Sequence, residues 1–210
     1  MFWFVIRELW KSKSVTRSFL NYRLSLEKIE GYTIDLGAGK KDLYSTLIPQ
    51  ATGTELVSFD FKQGNQVDFE TDKLPADENT YDTVLLLNVL EHIFNHAHLL
   101  KEIGRIKKPT GRLIGFVPFL MWYHPDPHDY FRYTFEALEK LHHQAGYQKI
   151  TIESIHYGPF VASLQMIHTC LPRWARVIIF VAAYGLDSLF RILRPKAVTR
   201  YALGYYFVAE

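Results

Sequence analysis

The ten residues YTIDLGAGKK, Tyr32 to Lys41, restrict the fold more than any other stretch of the chain. Thr33, Ile34 and Leu36 suit a short buried strand, because β-branched and apolar side chains pack well on a pleated surface. Asp35 breaks the apolar run near its carboxyl end, and Gly37-Ala38-Gly39 then has to turn sharply. Glycine tolerates positive φ and lets a ligand lie directly on the backbone. Lys40 to Leu47 is expected to form the next helix, with Leu43 and Leu47 on one face and Pro49 ending it. A strand, a glycine turn and a helix amino terminus in succession make a site for a nucleotide-like ligand. Taken alone, the same residues also describe an ordinary tight βα turn. The spacing of the downstream motifs favours the ligand site.

Thr54 to Phe61 reads as a second strand ending near Asp60, an acid about twenty residues past the glycines, where a parallel neighbour presents it to ribose hydroxyls. A short third strand is expected at Gln66 to Phe69, closed by Asp68. Lys73 to Thr80 is a polar, proline-bearing surface loop. Tyr81 to Asn88 is nearly all aliphatic, the mark of a central strand buried on both faces. It runs into the polar cluster Asn88-Val89-Leu90-Glu91-His92. His98 to Lys107 comes next as an amphipathic helix and Arg112 to Phe119 as a fifth strand. Thr134 caps a helix from Phe135 to Ala145, with Gly146 just past its end. Gln148 to Ile155 and Ala202 to Ala209 supply strands six and seven. Strict alternation of strand and helix means a parallel sheet with right-handed crossovers. The expected fold is therefore α/β and Rossmann-like, a seven-stranded, mostly parallel sheet with helices on both faces.

Around that core, residues 1–30 read as an amphipathic helical segment and 157–201 as an apolar and basic insertion of two helices. The core itself spans 31–156 and closes with the strand in 202–210. At 210 residues and 48% hydrophobic content the chain can bury one domain. A net charge of +2, without a run of five like charges, makes no case for nucleic acid. The single cysteine, Cys170, excludes an internal disulfide framework. The start MFWFVIRELWK lacks the order of a signal peptide, and no apolar run reaches the roughly 18 residues of a spanning helix. The expectation is a cytoplasmic protein.

DLGAG (35–39), the acid at Asp60, VDFETDKLP (67–75), TYDTVLLLNVLEH (80–92) and the strand start GRL at 111 occur in the order and spacing of one family. In these residues the chain resembles the class I S-adenosylmethionine-dependent methyltransferases. The resemblance implies S-adenosylmethionine as cofactor and an antiparallel last strand. Gly37 and Gly39 would let the backbone approach the cofactor, and Asp35 would sit beneath it. Asp60, with its neighbour Phe61, would take the ribose hydroxyls, and Asp68 and Phe69 would meet the adenine. Asn88 and Val89 would line the methionine end. Lys41 departs from the pattern, standing where many members carry a third glycine.

Val117 to Thr134, VPFLMWYHPDPHDYFRYT, is similar to members encoded among bacterial cell-surface polysaccharide genes. That similarity implies O-methylation of a sugar or glycan precursor. A hydroxyl acceptor needs an in-line position and a proton acceptor, for which imidazole is the natural side chain near neutrality. His124, His128 and Asp129 are the candidates, and Tyr130 and Arg132 the candidate substrate contacts. Arg132 binds a substrate anion or pairs with Asp129. Pro125 and Pro127 forbid a helix here, so the two histidines share no helical face and no preformed metal pair is expected. His92, His142 and His143 read as structural or solvated. The insertion at 157–201 is too short to span, and reads as a lid, a homodimer face or a peripheral membrane contact. A quinone-like lipophilic acceptor, or a cofactor-binding partner protein without catalysis, are the competing functions.

Overall fold

The computed structural model describes residues 1–37, 44–59 and 67–210. Within them lies one six-stranded sheet, β1 (Tyr32–Leu36), β2 (Glu55–Phe59), β3 (Tyr81–Leu87), β4 (Lys107–Pro118), β5 (Ile150–Ile155) and β6 (Gly204–Ala209). Its spatial order is β2-β1-β3-β4-β6-β5. The pairs among β1, β2, β3 and β4 are parallel, and β6 runs antiparallel between β4 and β5. Gly115 makes that insertion possible, since a Cβ there would run into the ring of Phe207, its register partner on β6.

The expected strand at Gln66–Phe69 is not found over 67–69, and Gln66 lies outside the described residues. Asp68 explains the difference. Its Oδ1 accepts the Glu70 N–H at 2.8 Å and its carbonyl accepts from Thr71 and Asp72, so its polar groups close a turn rather than a ladder. The helix expected from Lys40 lies largely outside the described residues, and 44–47 form a turn.

Both faces of the sheet are covered. Val84 and Leu86 of β3 face α3 (His96–Ile106) and α4 (Phe135–Gln144) through Leu99, Ile103, Leu138 and Leu141. Leu85 and Leu87 point the other way, as the period of two requires. They meet α1 (Phe2–Trp10), α2 (Val15–Leu24), α5 (Pro159–Ile167) and α6 (Arg173–Leu193) in a second core that includes Leu9, Leu20, Val161 and Phe180. The amino-terminal segment and the insertion therefore share one core. Phe2 packs 4.7 Å from Tyr184 and 6.0 Å from Phe180. Gly158 offers no side chain to cap α5, and the buried Asp187 of α6 does so instead, accepting from the Phe160 and Val161 N–H groups at 3.1 and 2.8 Å. At the other end Gln165 Oε1 accepts the Thr16 N–H at 3.0 Å, which ties α5 to the first turn of α2.

Candidate active site

The carboxyl ends of β1, β3 and β4 open on one side of the sheet, the position where ligands bind in open α/β folds. Two cavities lie there. The larger, about 510 Å³, is lined by Gly37, Asp68, Phe69, Asn88, Val89 and the loop side chains His128 and Tyr130, among others. The smaller, about 250 Å³, is walled by Arg17 and Thr16 of α2, Tyr44, Phe116, Met121 and His124, among others. Gly37, Asn88, His92 and Asp126 belong to both.

Gly37 has φ +74°, and a Cβ on it would stand 2.5 Å from Val89 Cγ2, so only glycine keeps this wall open. Asn88 is also left-handed, at φ +60°, a conformation asparagine tolerates better than most residues. Strained backbone of this kind costs about 1–3 kcal/mol and collects at functional sites. Asp35 is buried beneath the glycine turn, where its oxygens accept from Tyr44 Oη at 2.9 and 2.7 Å. Gly39, Asp60 and Phe61 lie outside the described residues.

Three side chains to which the sequence motifs give no role complete the site. Arg17 stands in the first turn of α2, where a cation opposes the helix dipole. Its guanidinium lies 5.8 Å over the Tyr44 ring, and Nη1 is buried with no partner among the described residues. Glu91 is fully buried directly after β3, in the short 3-10 turn Leu90–His92. Burial pushes its carboxyl up to about 7 against the Asn88 amide and the Arg132 charge. His92, expected to be structural or solvated, lines both cavities, and its Nε2 lies 3.7 Å from Glu91 Oε1. A polar pair directly after a buried aliphatic strand is the signal that identifies both.

The loop after β4 folds back over this turn. Tyr130 and Phe131 N–H groups donate to the Glu91 carbonyl at 2.9 and 3.3 Å, and His92 Nδ1–H donates to the His128 carbonyl at 2.6 Å. Asp129 and Arg132 line neither cavity. The guanidinium grips both carboxylate oxygens, at 2.5 and 2.7 Å, and also donates to the Trp122 and Phe131 carbonyls. Burial alone would raise the Asp129 carboxyl, but Arg132 and the His124 N–H hold it down at about 2. An acid so firmly ionised and doubly engaged is a clamp, and Arg132 is committed to it. His124 turns inward, its Nε2 3.9 Å from Glu91 Oε1. His128 and Tyr130 face the larger cavity, their rings 5.3 Å apart. His142 and His143 stand on α4, where each Nδ1 meets a backbone carbonyl.

Comparison with known proteins agrees with this geometry. A family model described as "Methyltransferase domain" matches residues 12–154, which is most of the chain. An uncharacterised protein of Methanocaldococcus jannaschii is 54% identical over 41 residues, a stretch covering 20% of this chain and only 18% of that relative. Among solved structures, the fold is similar to a Burkholderia thailandensis 1,6-didemethyltoxoflavin-N1-methyltransferase with bound S-adenosylhomocysteine (15% identity, 97% of this chain and 80% of that one, TM-score 0.54). It is similar also to an S-adenosylmethionine-dependent methyltransferase from Archaeoglobus fulgidus (15%, 92% and 93%, TM-score 0.53). A third is Haemonchus contortus phosphoethanolamine N-methyltransferase 2 with S-adenosylmethionine (14%, 92% and 51%, TM-score 0.53). The described residues fit that cofactor: a backbone wall only glycine can form, a buried guanidinium nitrogen without a partner among them, and a cavity within the roughly 300–1,000 Å³ of small-ligand sites. The chain belongs to the methyltransferase domain family, and its cofactor is S-adenosylmethionine.

Proposed function

We propose that the chain methylates a hydroxyl of a sugar or glycan precursor. The observation that carries this reading is the meeting of two cavities on Gly37, Asn88, His92 and Asp126. The larger takes the cofactor, with Asp68 and Phe69 toward the adenine and Asn88 and Val89 toward the methionine end. The smaller takes the acceptor. Its lining includes Ser14, Thr16, Asn88, His92, His124 and Asp126, a polar set that suits hydroxyl groups better than a quinone ring.

When bound, S-adenosylmethionine supplies a sulfonium methyl as the electrophile. The chain's own part is to hold the acceptor oxygen in line and to receive its proton. His92, which lines both cavities, and His124, which lines the smaller, hold that oxygen, with Glu91 buried behind them. His128 takes the proton from the cofactor side of the junction, because it lines the larger cavity beside the shared Asp126 and its ring makes no hydrogen bond among the described residues. Asp129 and Arg132 act as the clamp that shapes the loop. His128→Ala should keep S-adenosylhomocysteine affinity while lowering turnover about a hundred- to ten-thousand-fold. Unchanged turnover on an accepted sugar substrate would remove His128 from the reaction.

The insertion extends the proposal to where the acceptor is met. Trp174, Ile178, Val181, Leu189 and Ile192 recur at helical spacing on α6, and all are exposed, from 45% to 77%. Arg173, Arg191, Arg194 and Lys196 flank them. No helix among the described residues is long and apolar enough to cross a membrane. A helix with this apolar face and basic flanks lies in a bilayer interface, which suits a lipid-linked glycan precursor.

A further inference from the structure

We propose that Glu91, His92 and His124 form a binding site for a first-row divalent cation of the zinc class, placed against the acceptor cavity. The inference rests on the methyl-transfer reading for its purpose, but on geometry for its existence. One donor atom from each residue falls within a set whose members all lie within 4.8 Å of one another. Glu91 Oε1 is the hub, 3.7 Å from His92 Nε2 and 3.9 Å from His124 Nε2. Metal–ligand bonds of 2.0–2.1 Å at tetrahedral angles separate donors by about 3.4 Å, so the two Glu91–histidine separations need to close by no more than about half an ångström, and the two histidines, within 4.8 Å of each other, by at most about 1.4 Å.

The hydrogen of His92 points away from the centre. The His128 carbonyl can only accept, so His92 carries its proton on Nδ1, and its Nε2 lone pair faces Glu91. This is the outer partner by which proteins fix the tautomer of a ligating histidine. On His124 the Nδ1 side meets the Trp122 carbonyl at 3.3 Å and the ionised Asp129 at 3.4 Å, with the Arg132 guanidinium at 3.2 Å on the same side. The guanidinium can only donate, so His124 Nδ1 accepts from it and the ring proton sits on Nε2. A cation at the centre meets the bare Nε2 of His92 directly and releases the protons it displaces from His124 and Glu91.

A second, independent observation is the Glu91 carboxyl itself. It is wholly buried, its Oε2 has no partner among the described residues, and its Oε1 has the Asn88 amide only at 3.4 Å. In its ionised form this buried group needs a counter-charge, and among the described residues no cationic side chain lies within ion-pair distance of it other than these two histidines. Two imidazoles and one carboxylate favour zinc, cobalt, manganese or iron over magnesium or calcium, which prefer all-oxygen shells. Since His92 and His124 line the acceptor cavity, the remaining coordination positions open toward it. A cation there would bind the acceptor hydroxyl and make its proton easier to remove.

Purified protein stripped with EDTA should be titrated with Co²⁺ and with Zn²⁺, following the visible bands of cobalt and the melting temperature. Binding of about one equivalent is expected, with the affinity falling on the order of a hundredfold or more in His124→Ala and in Glu91→Gln. His143→Ala, outside the cluster, should bind like wild type. Circular dichroism checks that each variant folds, and His124→Asn replaces His124→Ala if the latter does not. No cobalt spectrum in the wild type, or equal affinity in both cluster variants, would overturn the site. S-adenosylhomocysteine affinity, measured on the same samples, separates the two readings: a chain that binds it but takes no cation overturns the cation site alone.

Discussion

Arg17→Met isolates what the buried guanidinium does. Arg17 opposes the dipole of α2, is pressed over Tyr44, and leaves Nη1 without a partner among the described residues, beside the Gly37 wall shared by both cavities. Burial works against its charged form, while Tyr44, Glu91 and Asp35 favour it. An arrangement this unfavourable in the empty protein is offset when an anion arrives; Arg17 lines the smaller cavity where Gly37 joins it to the larger, so the methionine carboxylate of a cofactor bound as proposed would reach it across that junction. A hydrogen bond to a charged group contributes about 1.5–3 kcal/mol, so losing it should weaken S-adenosylhomocysteine binding roughly ten- to 150-fold. Methylthioadenosine shares the nucleoside and sulfur but has no carboxylate, so its affinity should be unchanged. Titration calorimetry of both ligands on both proteins gives the comparison directly. Because methionine removes an incompletely paired buried charge, the ligand-free variant should melt no lower than wild type. An equal loss for the two ligands, or no loss for S-adenosylhomocysteine, would refute the assignment.

Two more outcomes concern features away from the chemistry. Burial draws His142 from 6.5 down to about 4, so between those values the unfolded chain takes a proton that the folded chain refuses. Stability is then full above about pH 6.5 and falls by about 3 kcal/mol toward pH 4. His142→Leu should flatten that fall in urea melts taken across the window, and an unchanged slope would show that other groups set it. If α6 lies in a bilayer interface, the protein should co-sediment with anionic vesicles at low salt, and salt or Trp174→Glu with Ile192→Glu should release it. Protein left in the supernatant at low salt would sink the interfacial reading, and a dimer by sedimentation would assign the stripe to a second copy.

The legible parts of the sequence were those where one physical requirement dominates. Tyr81 to Leu87 had to be a central strand because its aliphatic side chains fill both faces, and it pairs on both sides. Thr134 accepts the Ala137 N–H at 3.3 Å, as its place before a helix indicated. The strand expected at Gln66–Phe69 is not found over 67–69 because the turn-forming chemistry of Asp68 outweighed β propensity. At the site, Gly37, Asp68, Phe69, Asn88 and Val89 come together on one cavity. The loop histidines were found, but not how they divide. Sequence order left the pairing of Arg132 with Asp129 as one of two alternatives, and could not reveal that His124 turns inward to Glu91. Arg17 was hidden among five other basic residues of an amphipathic segment, because only the fold brings α2 to the glycine turn.

The place of β6 sets the order in which this protein can be assembled. β6 leaves the ribosome after both of the strands it lies between. Until residues 204–209 emerge, β5 has no partner in the sheet, and β4 presents Leu113 to Val117 as an open apolar edge. Such an edge is a template for pairing with other chains. Until then the sheet stays split, and the 6 residues of β6 close it. A chain that loses those residues loses the joint between two strands.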